Sequence, residues 1–168
     1  MDIVSAEPVN GADAAWLCLE TPVNLLVITA LAITEPMGFA DFRQLVQRRF
    51  LSFRRFRQKP MAHSGLYFWQ DDESFCLDYH LRRVALPAPA DKRALQDYLG
   101  EVMSTPLDPQ RPRWQFLFVE SFGGQSAIIM RVHHCYADGL SLVAVFGALT
   151  DAAANVRPFP GCEALSKW

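Results

Sequence analysis

No stretch of the 168 residues stays apolar over the roughly 18–20 positions that a membrane-crossing helix needs, so the sequence predicts no transmembrane segment. An excess of charge is missing too. Sixteen basic residues face 18 acidic ones, a net charge of -2, which argues against bulk nucleic-acid binding. The four cysteines, Cys18, Cys76, Cys135 and Cys162, form no C-x-x-C pair; such scatter suits free thiols in a reducing compartment. Met1 to Glu7 has no basic segment, so no secretory leader is expected. There is no Gly-x-Ser-x-Gly elbow, which removes the usual serine-hydrolase arrangement. No internal repeat and no low-complexity tract interrupts the chain. At 51% hydrophobic and 20% charged residues, the composition is that of a domain with its own core, neither disordered nor a coiled coil. The expectation is a single soluble domain in the cytoplasm.

Lysine is scarce, three residues against 13 arginines. Seven basic residues lie between Arg43 and Lys59, and acids gather at Asp71, Asp72 and Glu73. The basic stretch reads either as a solvated helix face with its exit loop or as a landing patch for anionic groups. Such groups would be phospholipid heads or the phosphates of CoA, which the planar arginine fork suits.

Hydrophobic periodicity supplies the elements. Leu25 to Ile33 is a buried strand, broken by Pro36 and Gly38. Phe39, Phe42, Leu45, Val46 and Phe50 recur at helical spacing, predicting a helix over 39–51. A short strand is expected over Leu66 to Gln70, and the alternation of Phe75, Leu77, Tyr79 and Leu81 predicts another. Asp91 is placed to cap a helix carrying Leu95, Tyr98, Leu99, Val102 and Met103. Trp114 to Ser121 and Gln125 to His133, around Gly123-Gly124, read as a hairpin whose second strand is central. Gly139 to Ala154 is helical, and the tail is punctuated by proline and glycine. The fold class is α/β, a two-layer sandwich on a mixed sheet.

The segment Arg131-Val-His-His-Cys-Tyr-Ala-Asp-Gly-Leu140 sits where a buried strand ends and a helix begins. Consecutive strand residues point to opposite faces. His133 and His134 therefore cannot both look into one cavity while the strand continues; one packs inward and the other faces the reaction space. Asp138 and Gly139 fall in the turn, where a carboxylate can fix geometry and glycine leaves room. A histidine here suits a general base, since its ordinary pKa of about 6.5 lies near working pH. The residues alone leave other readings open. The default is a structural pair of histidines. Zinc could draw on His133, His134, Cys135 and Asp138, but adjacent ligands diverge and no outlying pair has finger spacing. Cys135 could be a nucleophile beside His134, against the tendency of neighbouring side chains to point apart.

The string His-His-x-x-x-Asp-Gly resembles the active-site motif of the CoA-dependent acyltransferase superfamily. Further segments resemble one branch of it, the bacterial wax ester synthase/diacylglycerol acyltransferase family. These are Asp13-Ala-Ala-Trp-Leu17, Glu20-Thr-Pro-Val-Asn24, Arg55-Phe-Arg-Gln58, Leu77-Asp-Tyr-His-Leu-Arg-Arg-Val-Ala-Leu-Pro87 and Pro106-Leu-Asp-Pro-Gln-Arg-Pro-Arg-Trp114. The resemblance implies a chloramphenicol acetyltransferase-like half-domain over residues 1–157, with 158–168 a linker towards a C-terminal half. It implies that His134 is the general base, taking a proton from a long-chain alcohol or diacylglycerol hydroxyl that attacks acyl-CoA. His133 is then a supporting residue, and Asp138 orients the loop, usually through an arginine. Gly139 keeps the tunnel open, and Pro112 and Trp114 belong to an element near the acyl pocket. Arg113 stands between them where the family often has leucine. No cofactor is implied beyond acyl-CoA as co-substrate. The implied partners are the two substrates and either a C-terminal half-domain or a second copy, with a peripheral place at a membrane or lipid-droplet surface. Family enzymes resemble two related halves with the base between them, so the large apolar groups Trp114, Phe116, Phe118, Leu142, Val145 and Phe146 are expected to leave a surplus exposed. The alternative is a non-catalytic lipid- or protein-binding half-domain. A peptide-condensation domain would share His134 but not the other segments.

Overall fold

Two glycines build the centre of the molecule. Gly123 and Gly124 both adopt left-handed backbone, φ +56° and +81°, the geometry of a tight type I′ hairpin turn. They join β6 (Trp114–Phe122) to β7 (Gln125–His133). The other side of β7 pairs antiparallel with β2 (Val27–Thr34), from Val27 opposite His133 to Thr34 opposite Ser126. The short β5 (Leu81–Val84) runs parallel to β6. The sheet order is β2-β7-β6-β5, so it is mixed, and β7, apolar on both faces, is interior as expected. The structure, a computed structural model, describes residues 7–136 and 139–150; the expected end of the last helix and the linker 158–168 lie outside these.

Strand alternation sends side chains to two cores. Phe116, Phe118, Met130 and Val132 meet α2 (Phe39–Leu45) and the turn after it, while Leu117, Val119, Ala127 and Ile129 meet α4 (Lys92–Met103). Phe42 of α2 stacks on Phe118 at 5.0 Å. Each such phenylalanine contributes roughly 1.5–3 kcal/mol by leaving water. Asp91 caps α4 as its sequence position predicts, its carboxylate accepting from the Ala94 N–H at 2.9 Å. The helix expected over 39–51 is not one α-helix. It widens into a single π turn, Val46–Phe50, which keeps both Val46 and Phe50 fully buried.

Other elements depart from the sequence expectation or are missing from it. The alternation from Phe75 to Leu81 is not one strand: Leu77–His80 is a single helical turn, α3, and only Leu81–Val84 is extended. In that turn His80 is fully buried, stacks on Trp114 at 4.4 Å and pairs its Nδ1 with the Trp114 carbonyl at 2.9 Å, while the next residue, Leu81, pairs with Phe116. Gln58–His63 forms β3, a strand the sequence does not predict, and its start overlaps the end of the basic stretch, for which an exit loop is expected. It lies at the edge of a second sheet of order β1 (Glu7–Pro8), β4 (Leu66–Asp71), β3, where proline is tolerated. Gly11–Leu19 forms α1, capped by the Asn10 side chain.

The basic stretch is largely satisfied within the chain. Arg43 pairs with Asp78 at 3.0 Å, Arg54 with Asp71 at 2.6 Å, Arg55 with Glu7 at 2.7 Å and Lys59 with Asp72 at 3.6 Å. This favours the bland reading over an anion-landing patch. Of the six large apolar groups expected to form the core and leave a surplus, Trp114, Phe116, Phe118, Leu142 and Val145 are buried and Phe146 is partly buried against them. Exposed apolar side chains include Leu19 at the end of α1 and Val23 beyond it, Leu31 and Ile33 on β2, Leu66, Met103, and Val143 on α5 (Gly139–Leu149). Among the described residues no helix is long and apolar enough to cross a membrane.

Candidate active site

The pairing of β7 ends at His133, and the two neighbouring histidines fall on either side of that boundary. The His133 N–H donates to the Arg113 carbonyl at 2.9 Å, on the β6 side. The His134 N–H donates to the Leu26 carbonyl at 2.9 Å, on the β2 side, as the chain leaves the strand in a short 3-10 turn, His134–Tyr136. Leu26 has φ +49°, a left-handed conformation that is uncommon for leucine.

His133 is fully buried. Its Nδ1 accepts from the Cys135 N–H at 3.1 Å, so the ring proton sits on Nε2. That nitrogen has no hydrogen-bond partner among the described residues; the Glu20 carboxylate, at 3.9 Å, is beyond reach. Burial, with Arg113 and His134 adding positive charge nearby, holds its pKa down to about 3. His133 is thus a neutral packing residue at working pH. His134 is only partly buried. Its Nδ1 is enclosed and lacks a partner among the described residues. Its ring stacks on Trp16 of α1, centroids 4.6 Å apart and planes 27° apart.

Behind the histidines lies a polar frame. Arg113 pairs with Glu20 at 2.6 Å, side chains 11% and 24% exposed. The Arg113 N–H donates to the Tyr136 hydroxyl at 3.0 Å, and that hydroxyl donates to the Gln58 carbonyl at 2.7 Å. The segment Pro112-Arg113-Trp114 therefore places its middle residue beside the histidines. Pro112 and Trp114 are buried. Trp114 donates its indole N–H to the Phe56 carbonyl at 2.7 Å and packs against Phe50 and His80, so these two are core residues rather than an open substrate wall. Cys135 is fully buried and burial pushes its thiol up, away from a thiolate, which removes the support for a cysteine nucleophile. Gly139 opens α5, and Asp138 lies outside the described residues.

Sequence reasoning from spacing did not find Trp16, Glu20 or Leu26. Trp16 and Glu20 stand inside segments that carried the family resemblance, which was the available signal; nothing marks Leu26. Two surface grooves lie beside β5 and α4, lined among others by Val84, Glu120, Pro87 and Tyr98, at the other end of the sheet from His134. The arrangement around His134 can do one kind of chemistry with what is present: accept a proton at a ring nitrogen held at a strand end, next to a neutral, buried partner.

A family model described as the wax ester synthase/diacylglycerol acyltransferase catalytic domain matches residues 9–165. A Mycobacterium tuberculosis (strain H37Rv) protein bearing a diacylglycerol O-acyltransferase name is 34% identical over 148 residues, covering 80% of this chain and 29% of its own length. A Mycobacterium bovis protein with the same kind of name is 31% identical over 163 residues, covering 91% of this chain and 32% of its own. Among solved structures, the wax ester synthase/diacylglycerol acyltransferase from Marinobacter aquaeolei VT8 is similar with a TM-score of 0.69 and 27% identity, over 81% of this chain and 36% of that one. The starter condensation domain of a rhizomide synthetase, solved in complex with C8-CoA, has a TM-score of 0.71 at 15% identity over 92% of this chain and 38% of that one, a likeness of fold alone. The chain thus spans about a third of the length of these relatives.

Proposed function

The chain belongs to the wax ester synthase/diacylglycerol acyltransferase catalytic-domain family, and from that membership we propose that it is the N-terminal catalytic part of an O-acyltransferase. The reaction moves a fatty acyl group from acyl-CoA to a long-chain alcohol or diacylglycerol, giving wax ester or triacylglycerol. One observation carries the assignment of roles: of two adjacent histidines, the structure buries and neutralises His133 and leaves His134 partly open. His134 takes the proton of the acceptor hydroxyl as its oxygen attacks the thioester carbonyl carbon. The tetrahedral oxyanion collapses, the carbon–sulfur bond breaks, and the CoA thiolate leaves with the proton that the imidazolium returns. No acyl-enzyme is needed, consistent with the buried, protonated Cys135. Asp138 and Gly139 keep their family roles in this reading, as loop-orienting carboxylate and space-giving glycine.

The reading takes acyl-CoA as co-substrate with no further cofactor, and the remainder of a family catalytic domain, or a second copy, as the partner that completes the site. The outer edge of β2 is unpaired among the described residues and carries Leu31 at 41% and Ile33 at 50% exposure, a surface fit for such a partner. Acceptors of this class reside in membranes and lipid droplets, and exposed Leu19 and Val23, flanking Glu20, suit a peripheral place there. The test is acyl transfer from radiolabelled acyl-CoA to hexadecanol or diolein, by the chain alone and mixed with the C-terminal part of a relative. His134→Ala is expected to lower the rate by roughly 10²–10⁴-fold; equal rates for His134→Ala and wild type would refute the assignment.

A further inference from the structure

The imidazole that this mechanism uses is held in an uncommon way. The tautomer and orientation of a working histidine are ordinarily set by a hydrogen bond to the ring nitrogen that faces away from the reaction. At His134 the enclosed nitrogen, Nδ1, has no such partner among the described residues. What the ring does have is the indole of Trp16, stacked at 4.6 Å and 27°. That indole is itself anchored. Leu17 buries α1 against the core, and Glu20, immediately past the end of α1, pairs with Arg113 at 2.6 Å. The carbonyl of Arg113 receives the N–H of His133, next to His134. The ion pair therefore ties the helix that bears the indole to the strand end that bears the imidazole.

We propose that Trp16 is a positioning residue for His134: the stacked indole fixes the plane of the imidazole in place of an Nδ1 hydrogen bond, and the Glu20–Arg113 pair holds α1 at the separation that stacking requires. The proposal rests on the reading of His134 as the base. Stacked aromatic pairs have a geometric preference beyond the area they bury. Once His134 has taken the acceptor's proton, the imidazolium over the indole face is a cation–π pair. The same contact thus holds the ring in both protonation states of the cycle. Among the described residues, Arg113 and His134 both act on His133, and Asp13, Glu20 and Arg113 act on Cys135, the residue after His134.

The test reads the ring directly, on the full chain, by NMR of the histidine side chains. In the wild type, the carbon-bound ring protons of His134 are expected to show cross-relaxation to the Trp16 indole and an upfield ring-current displacement. That displacement is lost in Trp16→Ala, partly kept in Trp16→Phe, and reduced in Glu20→Gln. In the acyl-transfer assay with the rest of the catalytic domain supplied, Trp16→Ala is expected to lower kcat by about 3–10-fold with the KM for acyl-CoA unchanged, and Trp16→Phe to restore most of it. Undisplaced His134 protons in the wild type overturn the proposal with no variant needed. Full kcat in Trp16→Ala beside an inactive His134→Ala overturns it while leaving the proposed base intact. Full activity of His134→Ala overturns both.

Discussion

Mild acid should destabilise this chain through His133. In the folded state burial, Arg113 and His134 hold its pKa down to about 3, whereas the unfolded chain charges the same imidazole near 6.5. Between those values the unfolded state binds more protons than the folded one, so stability falls as pH falls, beginning near 6.5 and ending near 3. The slope reaches about 1.4 kcal/mol per pH unit, and from pH 7 to pH 4.5 the loss is roughly 2.5 kcal/mol. His133 is fully buried, so solvent does not screen this effect away. The loss is large beside the roughly 5–15 kcal/mol that holds a typical domain together. His80, its pKa lowered by burial, adds a loss of the same sign. Asp71, held below the usual carboxylate range by Arg54, loses that contribution only as pH falls to about 4 and below, so the window down to pH 4.5 isolates the histidines. The assay is urea denaturation at half-unit steps of pH, wild type against His133→Asn. The asparagine carbonyl can still accept from the Cys135 N–H, at 3.1 Å from Nδ1 in the wild type. The variant is expected to be less stable at pH 7, from lost packing, but its stability should fall less steeply between pH 6.5 and 4.5, by about 1 kcal/mol per unit. Parallel curves would refute the claim that this ring is buried neutral.

Three further outcomes are expected. Glu20→Gln strands the Arg113 guanidinium, 11% exposed, and should cost about 1–3 kcal/mol. The double variant with Arg113→Leu should recover part of that, and strict additivity in denaturation would show the pair to be uncoupled. Leu26→Val puts a β-branched residue at φ +49° and should cost about 1–3 kcal/mol, measured by thermal melting, whereas Leu26→Gly should not show that strain. Replacing Leu31 and Ile33 with lysine should abolish self-association of the isolated chain in sedimentation at micromolar concentration, since charged side chains on an edge strand block pairing; an unchanged sedimentation coefficient would place association elsewhere.

The parts of the fold legible in the sequence were those where one local signal decides. Asp91 before an amphipathic run fixes the start of α4, Gly123-Gly124 fixes a hairpin, and an apolar stretch on both faces fixes β7 as interior. The misread parts are those where distant partners decide. Nothing local to Gln58–His63 shows that β4 will pair with it. The alternation around Leu77 is a true burial pattern, yet the backbone there turns, and its contacts are to distant residues: His80 pairs with the Trp114 carbonyl. The site was legible through the histidine motif but not its supports. Trp16 and Glu20 are more than a hundred residues from His134 in the chain, and only the packing of α1 on the strand end brings them together. Pro112 and Trp114 mislead in the opposite way: they flank the residue that reaches the site and are themselves core.

The asymmetry of the two histidines separates the remaining chemical readings. A metal centre or a shared dyad would need both rings, and either substitution would then cost about the same. Here the last rung of the sheet falls between them. His133 is opposite Val27 inside the ladder, with Nδ1 already accepting from Cys135 and its charged form suppressed. It cannot take over a proton when its neighbour is removed. His134 is the first residue past the ladder, tethered by the Leu26 carbonyl and only partly buried. Loss of His134 is therefore expected to be unrescued by His133 at any pH at which the protein stays folded, and His133→Asn is expected to retain measurable acyl transfer at pH 7. Equal inactivation by the two substitutions, with both variants folded by NMR, would return the pair to a joint role and remove the general-base assignment from His134 alone.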